Sequence, residues 1–257
     1  MVDIMNLSII IPAWNEEKVI GDTLSKYVNY FEGQYNYEIV VVMDGCTDST
    51  LQIVKDYSRK NNKIKYLYFT KKLGKGGGII EGFKVAEGDL ISFTDADGAT
   101  SPEELDRLIE SIGDWDGSIG SRWMDGSIIL KDESFGRRIA SRGFNLLVKL
   151  LFDLNYNDTQ CGAKVFRKHA IEDIAGEIGL TNFAFDVDLL YELTRKGYRL
   201  KEIPINWKHN DDSSVNLVRV VPIMFISLIG LRMKTTPLWP FIPKWWISKI
   251  YDQIKND

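Results

Sequence analysis

The chain has 257 residues, 44% apolar and 26% charged, which is enough to bury a sizeable core and excludes disordered and fibrous classes. A net charge of -4 argues against nucleic acid as a partner. Two cysteines, Cys46 and Cys161, cannot build a disulfide framework and suit a reducing compartment or simple burial. The opening Met1-Val2-Asp3-Ile4-Met5-Asn6 carries no basic region, so no signal peptide is expected. No run approaches the roughly 18–20 apolar residues that span a bilayer. The best, Val220 to Leu231, contains Pro222 and is flanked by Arg219 and Arg232. A soluble protein, or one lying on a membrane surface, is expected.

Leu7 to Ile11 is a continuous apolar run closed by Pro12, the pattern of a strand buried on both faces. A helix is predicted from about Glu16 to Phe31, then a second buried strand from Glu38 to Met43 that ends at Asp44. Asp48-Ser49 caps a helix running to about Arg59. Ile64 to Phe69 reads as a strand, Gly76 to Ala86 as a helix, and Leu90 to Thr94 as a fourth strand delivering Asp95. Pro102 sits in the first turn of the next helix, with Ser101 as cap and Glu103-Glu104 favouring the dipole. Ser134 to Leu154 is helical in period, basic in its first half and apolar along one face; Asn216 to Ile250 is rich in apolar residues, tryptophan and proline.

Strand and helix alternating at this spacing predict an α/β fold with a doubly wound, mostly parallel sheet. Ligands bind such sheets outside the carboxyl ends of the strands. Asn15-Glu16, Asp44 and Asp95/Asp97 each follow a different strand, so three polar clusters distant in sequence converge on one edge.

Asp95-Ala96-Asp97 places two carboxylates on one side of an extended segment. They repel unless a cation lies between them, and hard oxygen ligands favour Mg²⁺ or Mn²⁺ completed by water and phosphates. A solvated turn is the plain alternative, weakened by the apolar strand just before it. Asp44 suits either the N–H of a nucleobase or helix capping, whereas capping is preferred for Asp48 and Ser49. The run Lys71-Lys72-Leu73-Gly74-Lys75-Gly76-Gly77-Gly78 lacks the Walker spacing but suits an anion at a helix N-terminus. His169 and His209 lie in no ligand or nucleophile pattern and read as surface or structural.

Together, Pro12-Ala13-Trp14-Asn15-Glu16, Asp44-Gly45-x-x-Asp48-Ser49-Thr50, Gly74-Lys75-Gly76-Gly77 and Asp95-Ala96-Asp97 resemble the family 2 glycosyltransferases. Asp97-Gly98-Ala99-Thr100, Asp158-Thr159-Gln160-Cys161-Gly162-Ala163-Lys164, Phe183 to Tyr191 and Glu202-Ile203-Pro204-Ile205-Asn206-Trp207 look like the dolichyl-phosphate glucose synthases, relatives of the mannose synthases. The resemblance covers about Leu7 to Arg232. It implies a GT-A fold over residues 1–215 and a C-terminal amphipathic, membrane-associating helical extension over 216–257. It also implies that Pro12, Ala13, Asn15, Glu16, Lys75 and Asp95 bind the nucleotide sugar and Asp44 its base. Asp95 and Asp97 would bind the metal and diphosphate, and Arg122 an acceptor or donor phosphate. Ala99 departs from mannose-type relatives, which offer the metal an amide there, so water would complete that shell. Eukaryotic glucose synthases carry an N-terminal anchor that this sequence lacks, so attachment would come from elsewhere.

The implied reaction is inverting transfer of a hexose, UDP-glucose type, to a polyprenyl (dolichyl) phosphate. That acceptor is already largely ionised near neutral pH and needs no general base. Two anionic substrates need screening by cations, and Arg122, Arg137, Arg138 and Arg142 offer them; Arg138 and Arg142 share one helix face. The apolar face formed by Phe144, Leu147, Val148, Leu151 and Phe152 would touch lipid, the alternative being a basic helix packed on the domain. Trp239, Trp245 and Trp246 with Lys234, Lys244 and Lys249 resemble an interfacial anchor, or a tail packed on the domain. Location at the cytoplasmic face of a membrane follows, and the same apolar surface suits a homo-oligomer interface. The rivals are a GDP-mannose donor, a soluble or glycan acceptor, and a non-catalytic nucleotide-sugar-binding or membrane-scaffold protein.

Overall fold

The computed structural model describes residues 6–129, 135–207 and 217–235, with the side chains of 135–140 and 217–220 outside that description. In chain order the elements are β1 (Asn6–Ala13), α1 (Ile20–Phe31), β2 (Asn36–Asp44), α2 (Thr50–Lys60), β3 (Ile64–Phe69), α3 (Lys75–Val85), β4 (Leu90–Phe93), α4 (Pro102–Ser111) and β5 (Gly117–Ser121). There follow β6 (Ile128–Ile129), α5 (Phe135–Phe152), β7 (Lys164–Arg167), α6 (Lys168–Ile174), α7 (Phe185–Arg195), β8 (Leu200–Pro204), β9 (Asn206–Trp207) and α8 (Leu217–Lys234).

The main sheet has seven strands in the order β3-β2-β1-β4-β7-β5-β8. It is parallel except at β7, which runs antiparallel to both β4 and β5. A second ladder pairs β6 with β9. Alternate residues of the apolar strands enter two cores. Ile10, Val40, Val42 and Phe93 pack with Phe83 and Phe185 under α3 and α7. Ile9, Ile11, Ile39 and Val41 pack with Leu24, Phe31, Leu105 and Leu108 under α1 and α4. Helices on both faces explain why β1 and β2 read as unbroken apolar runs. Each fully buried Ile or Leu contributes roughly 1.5–3 kcal/mol, so burial outweighs the local propensities of these short segments.

The boundaries shift in two informative places. Pro12 continues β1, opposite Val42, where the sequence suggested a stop. Helix α1 begins at Ile20, because the Glu16 carbonyl accepts the N–H groups of Val19 and Ile20 in a turn. Residues 14–19 are thereby left as a loop at the strand edge. Ser101 occupies the N-cap position of α4 but makes no side-chain capping bond.

The predicted lipid-facing side of α5 is corrected. Val148 and Phe152 are buried in the core, with Phe144, Leu147 and Leu151 packed against it. Among the described side chains of α5 the exposed apolar residues are instead Leu146 and Leu150, at 59% and 76%. Helix α8 packs on α5, and its Leu228 and Leu231 join the same core, so this part of the extension rests on the domain. No helix among the described residues is long and apolar enough to cross a membrane. Trp239, Trp245, Trp246, Lys244, Lys249, His209 and the 215/216 boundary lie outside the described residues.

Candidate active site

The carboxyl ends of β1, β2 and β4 are neighbours because β1 lies between the other two. The loop after β1 is fixed by cross-ties. Asn15, at φ 56°, accepts the Thr47 N–H at 2.8 Å and donates from Nδ2 to Thr47 Oγ1 at 3.1 Å. The Glu16 N–H donates to Thr50 Oγ1 at 2.8 Å. Asp48 accepts the N–H groups of Glu17 at 3.1 Å and Thr50 at 3.0 Å, so it ties two loops as well as opening α2.

Asp44 is buried, and its carboxylate accepts the backbone N–H groups of Leu73 and, at 2.9 Å, Gly74. It therefore anchors the glycine-rich loop in addition to bordering the expected base site. Close packing restricts the glycines there. A Cβ on Gly76 would lie 2.3 Å from Phe185 Cβ, so α3 can approach α7 only without a side chain at this position. The loop's cation does reach the site: Lys75 Nζ lies 2.6 Å from Asp95 Oδ1.

Asp95 and Asp97 have opposite electrostatic fates. Burial pushes the Asp95 carboxyl up, but the Lys75 ammonium, with Lys164 and Arg122 behind it, outweighs burial and holds it below the usual carboxylate range. Burial and the Asp95 charge push Asp97 up to about 6, despite the Ala99 N–H it accepts at 2.9 Å. Glu16 is pushed up to about 7 by burial, then by Asp97, Asp95 and Asp48. Negative charge thus accumulates where the glycosyl donor's diphosphate and a cation are expected.

Among the described residues no three His, Cys, Asp or Glu side chains gather to hold a metal ion. The protein would supply the two carboxylates of Asp95 and Asp97. That set fits Mg²⁺ or Mn²⁺, which commonly bind one or two carboxylates together with substrate phosphates and water.

The predicted cations separate. Arg122, just after β5, forms a two-point pair with Asp158, Nε to Oδ2 at 2.7 Å and Nη2 to Oδ1 at 3.1 Å. Arg142 on α5 is exposed, with its guanidinium 5.3 Å from the Trp123 ring centre. Arg138 lies one turn earlier on α5; its side chain and that of Arg137 lie outside the described residues. Pro12 and Ala13 end β1 beside the site. His169 is exposed, as read from the sequence.

Two features were not assigned from sequence. Lys164 is fully buried and donates from Nζ to Asp186 Oδ1 at 2.5 Å and to the Cys161 carbonyl at 2.5 Å. Gly162 leaves no room for a side chain, since a Cβ would lie 2.0 Å from Asp95 Oδ2. A lysine at the start of a short apolar strand, Lys164-Val165-Phe166, was the available signal for the first.

A profile of the family described as Glycosyl transferase family 2 matches residues 8–175. The chain belongs to glycosyltransferase family 2. A dolichyl-phosphate beta-glucosyltransferase of Drosophila melanogaster is 32% identical over 226 residues, covering 82% of this chain and 69% of the relative. That of Saccharomyces cerevisiae is 32% identical over 248 residues, covering 88% and 74%. The glycosyltransferase AglD of Haloferax volcanii is 31% identical over 91% of this chain, which spans 37% of that longer protein. Among solved structures, glucosyl-3-phosphoglycerate synthase from Mycobacterium tuberculosis bound to UDP superposes with a TM-score of 0.66 at 12% identity, over 89% of this chain and 80% of that one. TarS 1-349 of S. aureus gives 0.59 at 20% identity, over 97% and 70%. The family 2 chain therefore has the GT-A fold.

Proposed function

We propose that this glycosyltransferase moves a hexose, glucose from UDP-glucose, onto a polyprenyl phosphate of the dolichyl type, with inversion at the anomeric carbon. The donor side is supported by Asn15 and Glu16, Asp44, and Asp95 with Asp97, which follow the neighbouring strands β1, β2 and β4, and by Lys75, which reaches Asp95 from the start of α3. The relatives named as dolichyl-phosphate glucosyltransferases supply the acceptor class.

The observation that carries the acceptor reading is one stripe on α5. Arg138, Arg142, Leu146 and Leu150 recur every four residues, so they share a helix face. Arg142 is exposed, and Leu146 and Leu150 are the exposed apolar residues among the described side chains of the helix. Cation first and apolar afterwards is the complement of a phosphate head on a prenyl chain. Neither α5 nor α8 contains an acidic residue, whereas together they carry Arg137, Arg138, Arg142, Lys149, Arg219, Arg232 and Lys234. Val221, Phe225 and Ile229 of α8 are exposed as well. This pair of helices would rest on the anionic cytoplasmic surface of a membrane.

The chemistry follows from charge. The acceptor's phosphate oxygen attacks the anomeric carbon, and the bond to the nucleoside diphosphate breaks with its electron pair leaving on the diphosphate. Asp95 and Asp97 would hold Mg²⁺ or Mn²⁺, which neutralises charge on that leaving diphosphate when bound. Lys75, withdrawn from Asp95, supplies a further cation to it, and Arg122 screens the two anionic substrates from each other. Since the acceptor arrives ionised, positioning and electrostatics carry the catalysis. Incubating the protein with dolichyl phosphate and a panel of nucleotide sugars, with product read by lipid chromatography, tests the reading. Labelled glucolipid from UDP-glucose supports it; transfer only to water, soluble sugars or glycans overturns it.

A further inference from the structure

The segments Asp158 to Lys164 and Glu202 to Trp207 flank Arg122, and beyond the pairing of Asp158 and the contacts of Gly162 and Lys164 they have no role so far. Their geometry gives them one. Asp158 is buried and holds Arg122 at three points, through Nε, Nη2 and the Arg122 backbone N–H at 3.1 Å. The loop carrying Asp158 is itself lashed on two sides. Glu202 of β8 accepts the N–H groups of Asn157 and Asp158, each at 2.8 Å, and the Asn157 amide at 2.9 Å. Asn145 of α5, also buried, donates to the carbonyls of Tyr156 at 2.9 Å and Asn157 at 2.8 Å, and accepts from Thr159 Oγ1 at 3.1 Å.

Aromatic rings complete the holder. The Arg122 guanidinium lies 5.3 Å from the Trp207 ring centre and 5.8 Å from that of Trp123. Trp123 is also the ring over which Arg142 lies, at 5.3 Å. One indole therefore spaces two guanidinium groups, one on the strand β5 edge and one on α5. A guanidinium has five N–H donors in a rigid fork, so fixing its plane fixes where an oxyanion can dock.

We infer that Glu202, Asp158, Trp207 and Trp123 are positioning residues, which fix the planes of Arg122 and Arg142 so that the two together receive the phosphate monoester of the acceptor. The inference rests on the acceptor reading proposed above. It assigns the clamp to the acceptor and not the donor, because Trp123 couples Arg122 to the α5 stripe that continues into Leu146 and Leu150. An arginine held before the ligand arrives loses less freedom on binding than a mobile one. Loosening the clamp therefore weakens acceptor capture while leaving nucleotide-sugar capture alone.

The test compares full-length Glu202→Gln, Trp207→Leu and Trp207→Phe with the parent protein. Glu202→Gln replaces an accepting oxygen by an NH₂ facing the Asn157 N–H; Trp207→Leu removes the ring; Trp207→Phe keeps a π face. The expected result is a rise of about tenfold in KM for polyprenyl phosphate with Glu202→Gln and Trp207→Leu, at nucleotide-sugar KM and kcat within about twofold. Trp207→Phe is expected to restore most of the loss. Calorimetric binding of a short-chain prenyl phosphate, without donor, should weaken by the same factor. An unchanged acceptor KM and prenyl phosphate affinity, or an equal loss of nucleotide-sugar binding, would overturn the inference. Should Glu202→Gln fail to fold, the two Trp207 variants decide alone. If the parent binds and uses no prenyl phosphate at all, the proposed function fails first, which the parent control reveals separately.

Discussion

Replacing Asp97 by asparagine tests the electrostatics of the acidic pair without reference to catalysis. Burial and the neighbouring Asp95 charge raise the Asp97 carboxyl from 3.8 to about 6. The folded protein therefore keeps a proton there to higher pH than the unfolded chain does. Below pH ~4 both states are protonated and the group has no net effect. As pH rises from about 4 to about 6 the unfolded state loses its proton first, so this group removes stability, and above about 6 the loss is complete. A rise of about two pH units corresponds to a ceiling of about 3 kcal/mol. The amide of the Asp97→Asn variant does not titrate, so the difference between variant and parent reports this site together with the relief of Glu16, whose carboxyl the Asp97 charge pushes up. At 2–4 °C per kcal/mol for a chain of this size, that ceiling places the variant's melting about 6–12 °C above the parent at pH 7.5, and close to it at pH 4. Differential scanning fluorimetry in chelator-treated buffer, across that range, reads this directly. Adding Mn²⁺ should stabilise the parent at pH 7.5 and not the variant, because the cation neutralises the repulsion that the substitution removes. A constant difference across the pH range, or a variant less stable at pH 7.5 than at pH 4 relative to the parent, would refute the reasoning.

Three further outcomes are expected. Gly162→Ala should abolish Mn²⁺-dependent UDP binding measured by calorimetry, because its Cβ would fall 2.0 Å from Asp95 Oδ2 and displace that carboxylate. Lys164→Met should lower stability by about 3–5 kcal/mol in urea titrations, since it leaves Asp186 as an unpaired buried charge. Leu146→Asp with Leu150→Asp should leave UDP binding intact and abolish flotation with anionic liposomes, since both residues are exposed and lie on the basic stripe of α5.

The N-terminal half of the fold was legible because its signals are local. Apolar runs such as Leu7–Ile11 and Glu38–Met43, short and rich in Ile and Val, read as strands covered on both faces, and the polar residues that follow them then meet at one edge. Asp95 and Asp97 were singled out in this way, and the structure places them just after β4, at that edge. What was not legible depends on pairings across long separations. Nothing in the chain near Arg122 announces that its partner is Asp158, or that Glu202 holds the loop between them. The orientation of α5 misled for a related reason. Its apolar residues form one broad stripe, and helical period alone does not say which part faces the core. Packing against the β-sheet core and α7 took Val148 and Phe152, leaving Leu146 and Leu150 outside. Gly76 read as part of an anion-binding loop and Gly162 only as part of a family segment, yet each is set by a contact with a distant residue, Phe185 in one case and Asp95 in the other.

The central claim is that the acidic edge and the basic, then apolar, stripe of α5 serve one reaction. Its most direct measurement is transfer of radiolabelled glucose from UDP-glucose to dolichyl phosphate in detergent with Mn²⁺, for the parent and for Arg138→Ala with Arg142→Ala. Glucolipid formation by the parent and its loss in the double variant, with UDP-glucose affinity unchanged, are expected. Undiminished glucolipid formation by the double variant would contradict it.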